Sequence, residues 1–162
     1  MKNKIMLATV AMMMVAAAMA QKNASAQADK HEYVDLGLPS GTLWATCNVG
    51  ASRPEDYGDY FAWGETSGYN GGKTDFSWKT YKWWNGAYDK LTKYCTVDNR
   101  TELLPEDDAA YVNWGSSWRI PTRTQQDELR KKCTWTLTSR GGVNGYEVKG
   151  PNGNVLFLPT AG

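Results

Sequence analysis

Hydrophobic and polar residues alternate along residues 42–49. Leu43, Ala45, Cys47 and Val49 share one side of this pattern, and polar residues occupy most of the other. A period of two residues is typical of a half-buried strand. The pattern predicts a strand over residues 42–49 that points Cys47 into the core. A second short strand is predicted over residues 59–63, closed by Gly64.

Helix signals follow later in the chain. Pro105 followed by three acidic residues predicts a helix from 105 to about 113 that ends at Gly115, since proline suits the first helical position and acids suit the positive end of the dipole. Thr122 and Gln125 have the spacing of a capping box, which predicts a second helix to about Lys132. Leu129 and Cys133 lie four residues apart, on one face of that helix.

Two short stretches flank a turn near the end of the chain. Residues 145–149 and 154–158 surround Pro151, Asn152 and Gly153. Glycine supplies the positive φ that tight hairpin turns need, so this pattern predicts a hairpin.

Residues 64–100 contain few aliphatic residues and many glycines and aromatic residues. Such a stretch predicts a long, structured surface insertion without regular helix or sheet. We expect five of its aromatic side chains to form a ligand-binding platform: Trp78, Tyr81, Trp83, Trp84 and Tyr88. Large aromatic side chains are favoured anchors in interfaces, and their flat faces stack on sugar rings. The alternative is that they pack on each other as the insertion's own core.

The start of the chain has the pattern of a secretory signal peptide. A basic segment, residues 1–4, precedes an apolar run from Ile5 to Ala20, and residues 18–20 and 24–26 both have the A-x-A form of a cleavage site. The apolar run is shorter than the roughly 20 residues of a membrane-spanning helix. We therefore predict export to the periplasm, cell surface or medium, with residues 1–26 as signal and flexible start, 27–32 as linker and 33–162 as one domain.

Charge and cysteine content exclude several classes of function. Without residues 1–26 the chain has 15 basic and 17 acidic residues and shows no basic patch, which argues against nucleic acid as a partner. Three cysteines, Cys47, Cys95 and Cys133, permit one disulfide but form no Cys/His cluster, and His31 is the only histidine. We expect buried free thiols or one disulfide, no bound metal and no cofactor.

A cluster of acidic residues and one separate glutamate suggest a metal site and a catalytic site. Residues Asp98, Glu102, Glu106, Asp107 and Asp108 suggest calcium, but they lack the alternating loop spacing of a calcium site, and a helix dipole accounts for three of them. Glu65, close to Trp63, is the best single candidate for a glycosidase carboxylate, yet no partner carboxylate follows from spacing. We therefore expect no catalytic residue.

Three segments carry a family resemblance: YVDLGLPSGTLWATCNVG at residues 33–50, WGSSWRIPT at 114–122 and QQDEL at 125–129. Together they resemble the Fibrobacter succinogenes major paralogous domain, and the second resembles a step of formylglycine-generating-enzyme and C-type-lectin-like folds. The resemblance implies an α+β, lectin-like fold and a secreted or surface location. It also implies that further strands follow Phe157 and Leu158, so we expect a domain incomplete at its C-terminus.

The function expected from these features is non-enzymatic recognition or adhesion, with a glycan or a surface protein as ligand. Two alternatives stay open at this point. One is a hydrolase or modifying enzyme on the same fold, and the other is a structural module of a surface assembly.

Overall fold

The N-terminal part of the domain is a short antiparallel ribbon. The computed structural model describes residues 31–69, 76–87 and 89–160, so the predicted signal segment lies outside the described residues. Strand β1 (Tyr33–Asp35) pairs with β2 (Leu43–Ala45), and Val34 faces Trp44 across the ribbon. His31, which lies in the predicted linker of residues 27–32, stacks on Trp114 with ring centroids 4.2 Å apart.

The predicted strand over residues 42–49 is wrong in length and in its buried face. It ends at Ala45, Leu43 is 49% exposed, and Trp44 packs against the core instead. The physical reason is the pairing with β1, because Val34 packs on the core and its cross-strand partner is Trp44. Cys47, predicted to be in the core, is half-buried beyond the end of the strand.

The predicted first helix begins later than its sequence suggested. Pro105–Asp107 forms one turn of 3-10 helix, and the α-helix α1 covers only Ala109–Trp114. Asp108 caps α1, since one of its carboxylate oxygens accepts hydrogen bonds from the backbone N–H groups of Ala110 and Tyr111. Gly115 ends the helix at φ 103°, as predicted.

The second helix and the hairpin confirm two local predictions. Helix α2 runs from Arg123 to Lys132 and opens with the capping box of Thr122 and Gln125. Leu129 is buried on its inner face. Strands β4 (Val143–Lys149) and β5 (Val155–Pro159) form the expected hairpin, with Gly153 at φ 88° in its turn.

One strand of this sheet was not predicted. Strand β3 (Thr134–Arg140) pairs antiparallel with β4, which gives a three-stranded sheet in the order β3-β4-β5. Every residue of β3 is exposed, so the strand has no buried alternating face to reveal it. Its turn to β4 places Gly141 and Gly142 at positive φ, the pattern of a tight hairpin turn.

The buried core joins the ribbon, α2 and the three-stranded sheet. It consists of Leu36, Leu38, Leu129, Val148 and Leu156, and four partly buried residues pack against it: Val34, Trp44, Cys133 and Leu158. The β4–β5 turn is also tied to β1 by polar groups. The side-chain amides of Asn152 and Asn154 both donate to the carbonyl oxygen of Asp35, at 2.9 and 2.8 Å.

The middle of the chain has little regular structure. The strand predicted over residues 59–63 is wrong, because only a single bridge forms, between Tyr60 and Tyr69. Gly64, at φ 77°, turns the chain immediately after this segment, as predicted. The described residues of 64–100 form turns without helix or strand, which agrees with the predicted insertion.

Helices and antiparallel sheets thus occupy separate parts of the domain, and the fold class is α+β. Within the described ranges, no helix is long and apolar enough to cross a bilayer. The three cysteines all lie in these ranges, and each is free and half-buried.

Candidate functional site

A cleft of about 490 Å³ lies between the segment that follows β2 and the insertion. It is lined by Tyr60, Phe61, Ala62, Trp63, Tyr69, Phe76, Trp78, Tyr81, Leu91 and Tyr94. Eight of these ten residues are aromatic, and none of these described residues carries a formal charge at neutral pH. A concave surface of this size is large enough for a small ligand.

The rings of the insertion pack edge to face along one wall of the cleft. Phe76 lies 5.6 Å from Trp78 and 6.0 Å from Tyr81 between ring centroids, with interplanar angles of 71° and 63°. Trp78 and Tyr81 are 6.0 Å apart at 82°. This geometry suits the ring quadrupoles and holds the wall in one arrangement.

Exposure divides the cleft residues into two groups. Tyr81 is 7% exposed and forms the base of the wall. Trp78, Trp63 and Phe76 are 49%, 45% and 37% exposed. Three large aromatic side chains therefore present accessible surface around one concavity, an arrangement that marks binding sites more often than scattered exposed residues do.

Two tyrosine hydroxyls of the cleft, those of Tyr69 and Tyr81, are held by protein acceptors. Tyr81 donates to the carbonyl oxygen of Trp63 at 2.7 Å, and Tyr69 donates to Glu65. Burial, and then the neighbouring Glu65 carboxylate, raises the pKa of Tyr69 to about 12 and raises that of Tyr81. Both side chains are therefore neutral phenols at physiological pH.

Glu65, the candidate glycosidase carboxylate, is occupied by structural contacts. Its Oε2 accepts from the Tyr69 hydroxyl, and its Oε1 accepts from the backbone N–H of Lys82 at 2.8 Å. These bonds join the two walls of the cleft. Because protein groups donate to both carboxylate oxygens, Glu65 holds the Tyr69 side chain and the Lys82 backbone in place.

Behind the cleft, a buried carboxylate gathers three donors. Asp107 is 2% exposed; its Oδ1 lies 2.8 Å from Lys82 Nζ, and its Oδ2 accepts from Tyr94 at 2.8 Å and from Lys93. Burial opposes ionisation of Asp107, but the hydrogen bonds from these donors outweigh it and lower its pKa to about 2. The carboxylate ties the insertion to the 3-10 turn.

Trp83 stacks against this charged group rather than lining the cleft. The ammonium groups of Lys82 and Lys93 lie 4.4 and 5.1 Å from its ring centroid, within the range of cation–π attraction. Tyr94 packs on it edge to face at 5.9 Å. Gly64 gives it room, because a Cβ there would come within 2.6 Å of the indole Nε1.

The structure brings together only part of the predicted platform. Trp78 and Tyr81 line the cleft, and Trp84 lies beside Trp78 with ring centroids 5.8 Å apart. Trp83 lies outside the lining, and Tyr88 lies outside the described residues.

Sequence reasoning missed the wall contributed by Tyr60, Phe61, Trp63 and Tyr69. In the sequence, Trp63 drew attention only as a neighbour of Glu65. The available signal is the run of aromatic residues from Tyr60 to Trp63, which lies within the strand predicted over residues 59–63.

Three of the five acidic residues considered for calcium, Asp98, Asp107 and Asp108, are each held by their own set of hydrogen-bond donors. Asp98 accepts from the backbone N–H groups of Tyr94 and Cys95, at 2.9 and 3.0 Å, and Asp108 accepts from three backbone groups. In the part of the chain that the structure describes, no three His, Cys, Asp or Glu residues are grouped to hold a metal ion.

Comparison of the chain with protein-family models, with curated proteins and with solved structures finds no significant match.

Proposed function

We propose that this protein is an exported, non-enzymatic recognition domain that binds a glycan in the aromatic cleft. The observation that carries the proposal is the exposure of Trp63, Phe76 and Trp78 around one concavity of about 490 Å³. Flat aromatic faces fit the C–H faces of sugar rings, which are apolar and rigid. The lectin-like form of an α+β fold, suggested by the family resemblance, belongs to the same proposal.

A non-enzymatic role is supported by the state of the polar groups at the site. The carboxylates of Glu65 and Asp107 each accept a hydrogen bond from a lining tyrosine, and protein groups donate to both oxygens of each carboxylate. Hydrolysis of a glycosidic bond needs an acid and a second carboxylate across a cleft. Among the described residues that line this cleft, no side chain supplies either group.

Export is part of the proposal and rests on the N-terminal sequence pattern. Signal cleavage after Ala20 or Ala26 would release the described domain outside the cytoplasm. N-terminal sequencing of protein recovered from outside the cytoplasm tests this part by itself. Recovery there of material that still begins at Met1 would refute cleavage.

Binding is tested with an immobilised glycan array, followed by calorimetric titration of the best ligand. Trp78→Ala removes the most exposed ring of the cleft and should abolish binding. Trp135→Ala is the matched control, since Trp135 is a partly exposed tryptophan outside the lining and should leave affinity unchanged. Thermal melts of both variants show whether the fold persists.

The outcomes separate glycan binding from its rivals. If the protein binds a surface protein and no glycan on the array, the proposed ligand class is wrong and the ligand is a protein. Release of reducing sugar on prolonged incubation would contradict the non-enzymatic role, and loss of that release in Glu65→Gln would identify the catalytic carboxylate.

A further inference from the structure

We infer that the cleft selects uncharged glycans and excludes anionic ones such as uronates and sulfated chains. The inference deepens the proposed function and rests on it, because it names which glycans the same site accepts. It follows from the distribution of charge around the cleft.

The described walls of the cleft are mostly aromatic and carry no formal charge. Eight of the ten lining residues are aromatic, and the face of an aromatic ring carries the negative part of its quadrupole. A carboxylate or sulfate that entered would approach these faces and lose water without gaining an attractive partner. Burial of an unpaired anion is strongly unfavourable. A neutral sugar ring presents weakly positive C–H groups to the same faces.

Two lysines of the insertion next to the cleft are already bound to a carboxylate. Lys82 and Lys93 both pair with Asp107, and both ammonium groups lie over the ring of Trp83, which does not line the cleft. The Lys93 ammonium group also lies 5.3 Å from the ring centroid of the lining residue Tyr94, but Asp107 binds it there. Strong recognition of carboxylate or sulfate normally uses Arg or Lys directed at the anion. Among the lining residues that the structure describes, no side chain can serve in that way.

Two of the lining hydroxyl groups favour a ligand that donates hydrogen bonds. Tyr69 and Tyr81 direct their protons to Glu65 and to the Trp63 carbonyl oxygen, so their oxygens can only accept from a ligand. Sugar hydroxyls can donate to these oxygens, whereas an ionised carboxylate has no proton to give. The Glu65 carboxylate beside Tyr69 adds further repulsion of anions.

Matched pairs of chains give the direct test. Short β-1,4- and α-1,4-linked glucans and mannans are titrated against the wild-type protein, each beside its C6-oxidised counterpart, in about 0.15 M salt to screen contacts with surface lysines. For a backbone that binds, the oxidised chain should bind at least tenfold more weakly. Equal or tighter binding of the oxidised chain, lost in Trp78→Ala, would overturn the inference while leaving glycan binding intact.

A variant with an added cation tests the cause. Phe76→Arg places a guanidinium in the lining and should raise the affinity for the oxidised chain relative to the uncharged one by about tenfold. Val97→Arg is the control, since Val97 is an exposed residue of the insertion outside the lining. An unchanged ratio in folded Phe76→Arg would contradict the inference. Absence of binding by every chain, charged or uncharged, would refute the proposed function and this inference with it.

Discussion

Lys82 and Asp107 join the aromatic insertion to the start of the helical segment. The Lys82 Nζ lies 2.8 Å from Asp107 Oδ1, although 25 residues separate the two along the chain. Lys93 and Tyr94 bind the other carboxylate oxygen. One buried carboxylate therefore fixes three side chains of a segment whose described residues form no helix or strand.

Substitution of this carboxylate should loosen the insertion. In Asp107→Asn, the two lysines lose their ionic partner at a buried position, and we expect a loss of about 2 kcal/mol in the free energy of unfolding. Urea denaturation followed by tryptophan fluorescence measures the loss. Asp89→Asn, an exposed acid of the same insertion, is the control and should change stability by less than about 0.5 kcal/mol. Equal effects of the two substitutions would refute the assigned role of Asp107.

Stability should fall in acid through the same group. The pKa of Asp107 is about 2 in the folded protein against an ordinary value of 3.8, so the unfolded state binds the proton first as the pH falls. The contribution of Asp107 is complete above pH 4 and disappears between about pH 4 and pH 2, a change of about 2 kcal/mol. Urea titrations across this range should show a smaller decrease for Asp107→Asn than for the wild type. Parallel curves would contradict the depressed pKa.

Trp83 should matter for stability and Trp78 for binding. Trp83 is half-buried against Tyr94 and two ammonium groups, so Trp83→Ala should cost about 2 kcal/mol, less than for a fully buried tryptophan. Trp78→Ala removes a half-exposed ring and should cost less than about 1 kcal/mol. Thermal and urea unfolding of the two variants test the contrast. A larger loss in Trp78→Ala would reverse the assignment.

Cys133 should be the least reactive thiol of the native protein. It packs against the core, and burial followed by the nearby Glu128 raises the pKa of its thiol. Since the thiolate is the reactive form, labelling at pH 8 should be at least tenfold slower in the folded than in the unfolded protein. A variant with Cys47→Ser and Cys95→Ser isolates this site. Equal rates in the two states would contradict its burial.

Local signals predicted the elements whose cause lies within a few residues. Thr122 and Gln125 satisfy each other's backbone, so the capping box fixed the start of α2 without help from the rest of the chain. The β4–β5 hairpin likewise follows from Gly153 in its turn and from apolar residues on both sides. The end of α1 at Gly115 has the same local origin.

Features set by distant partners were not predictable in this way. The buried face of β2 depends on Val34 in β1, and Asp107 and Asp108 are turned inward by donors from the insertion and by the backbone of Ile120. The cleft combines two aromatic segments on either side of Gly64, and only the second had been considered as a binding surface. The density of aromatic residues in the sequence indicated one wall of the cleft. Which segment forms the opposite wall depends on the tertiary structure.

The attachment of β1 to the β4–β5 turn sets an order of events during synthesis. The carbonyl oxygen of Asp35 cannot accept its two hydrogen bonds until Asn152 and Asn154 have been made, 117 and 119 residues later. At a typical elongation rate of about 5–20 residues per second, the ribosome needs on the order of 10 s to make that length. Val148 and Leu156, two of the five buried residues of the core that contains Leu36, are also made only at that stage. The domain therefore completes its core only after nearly all of the described chain has emerged.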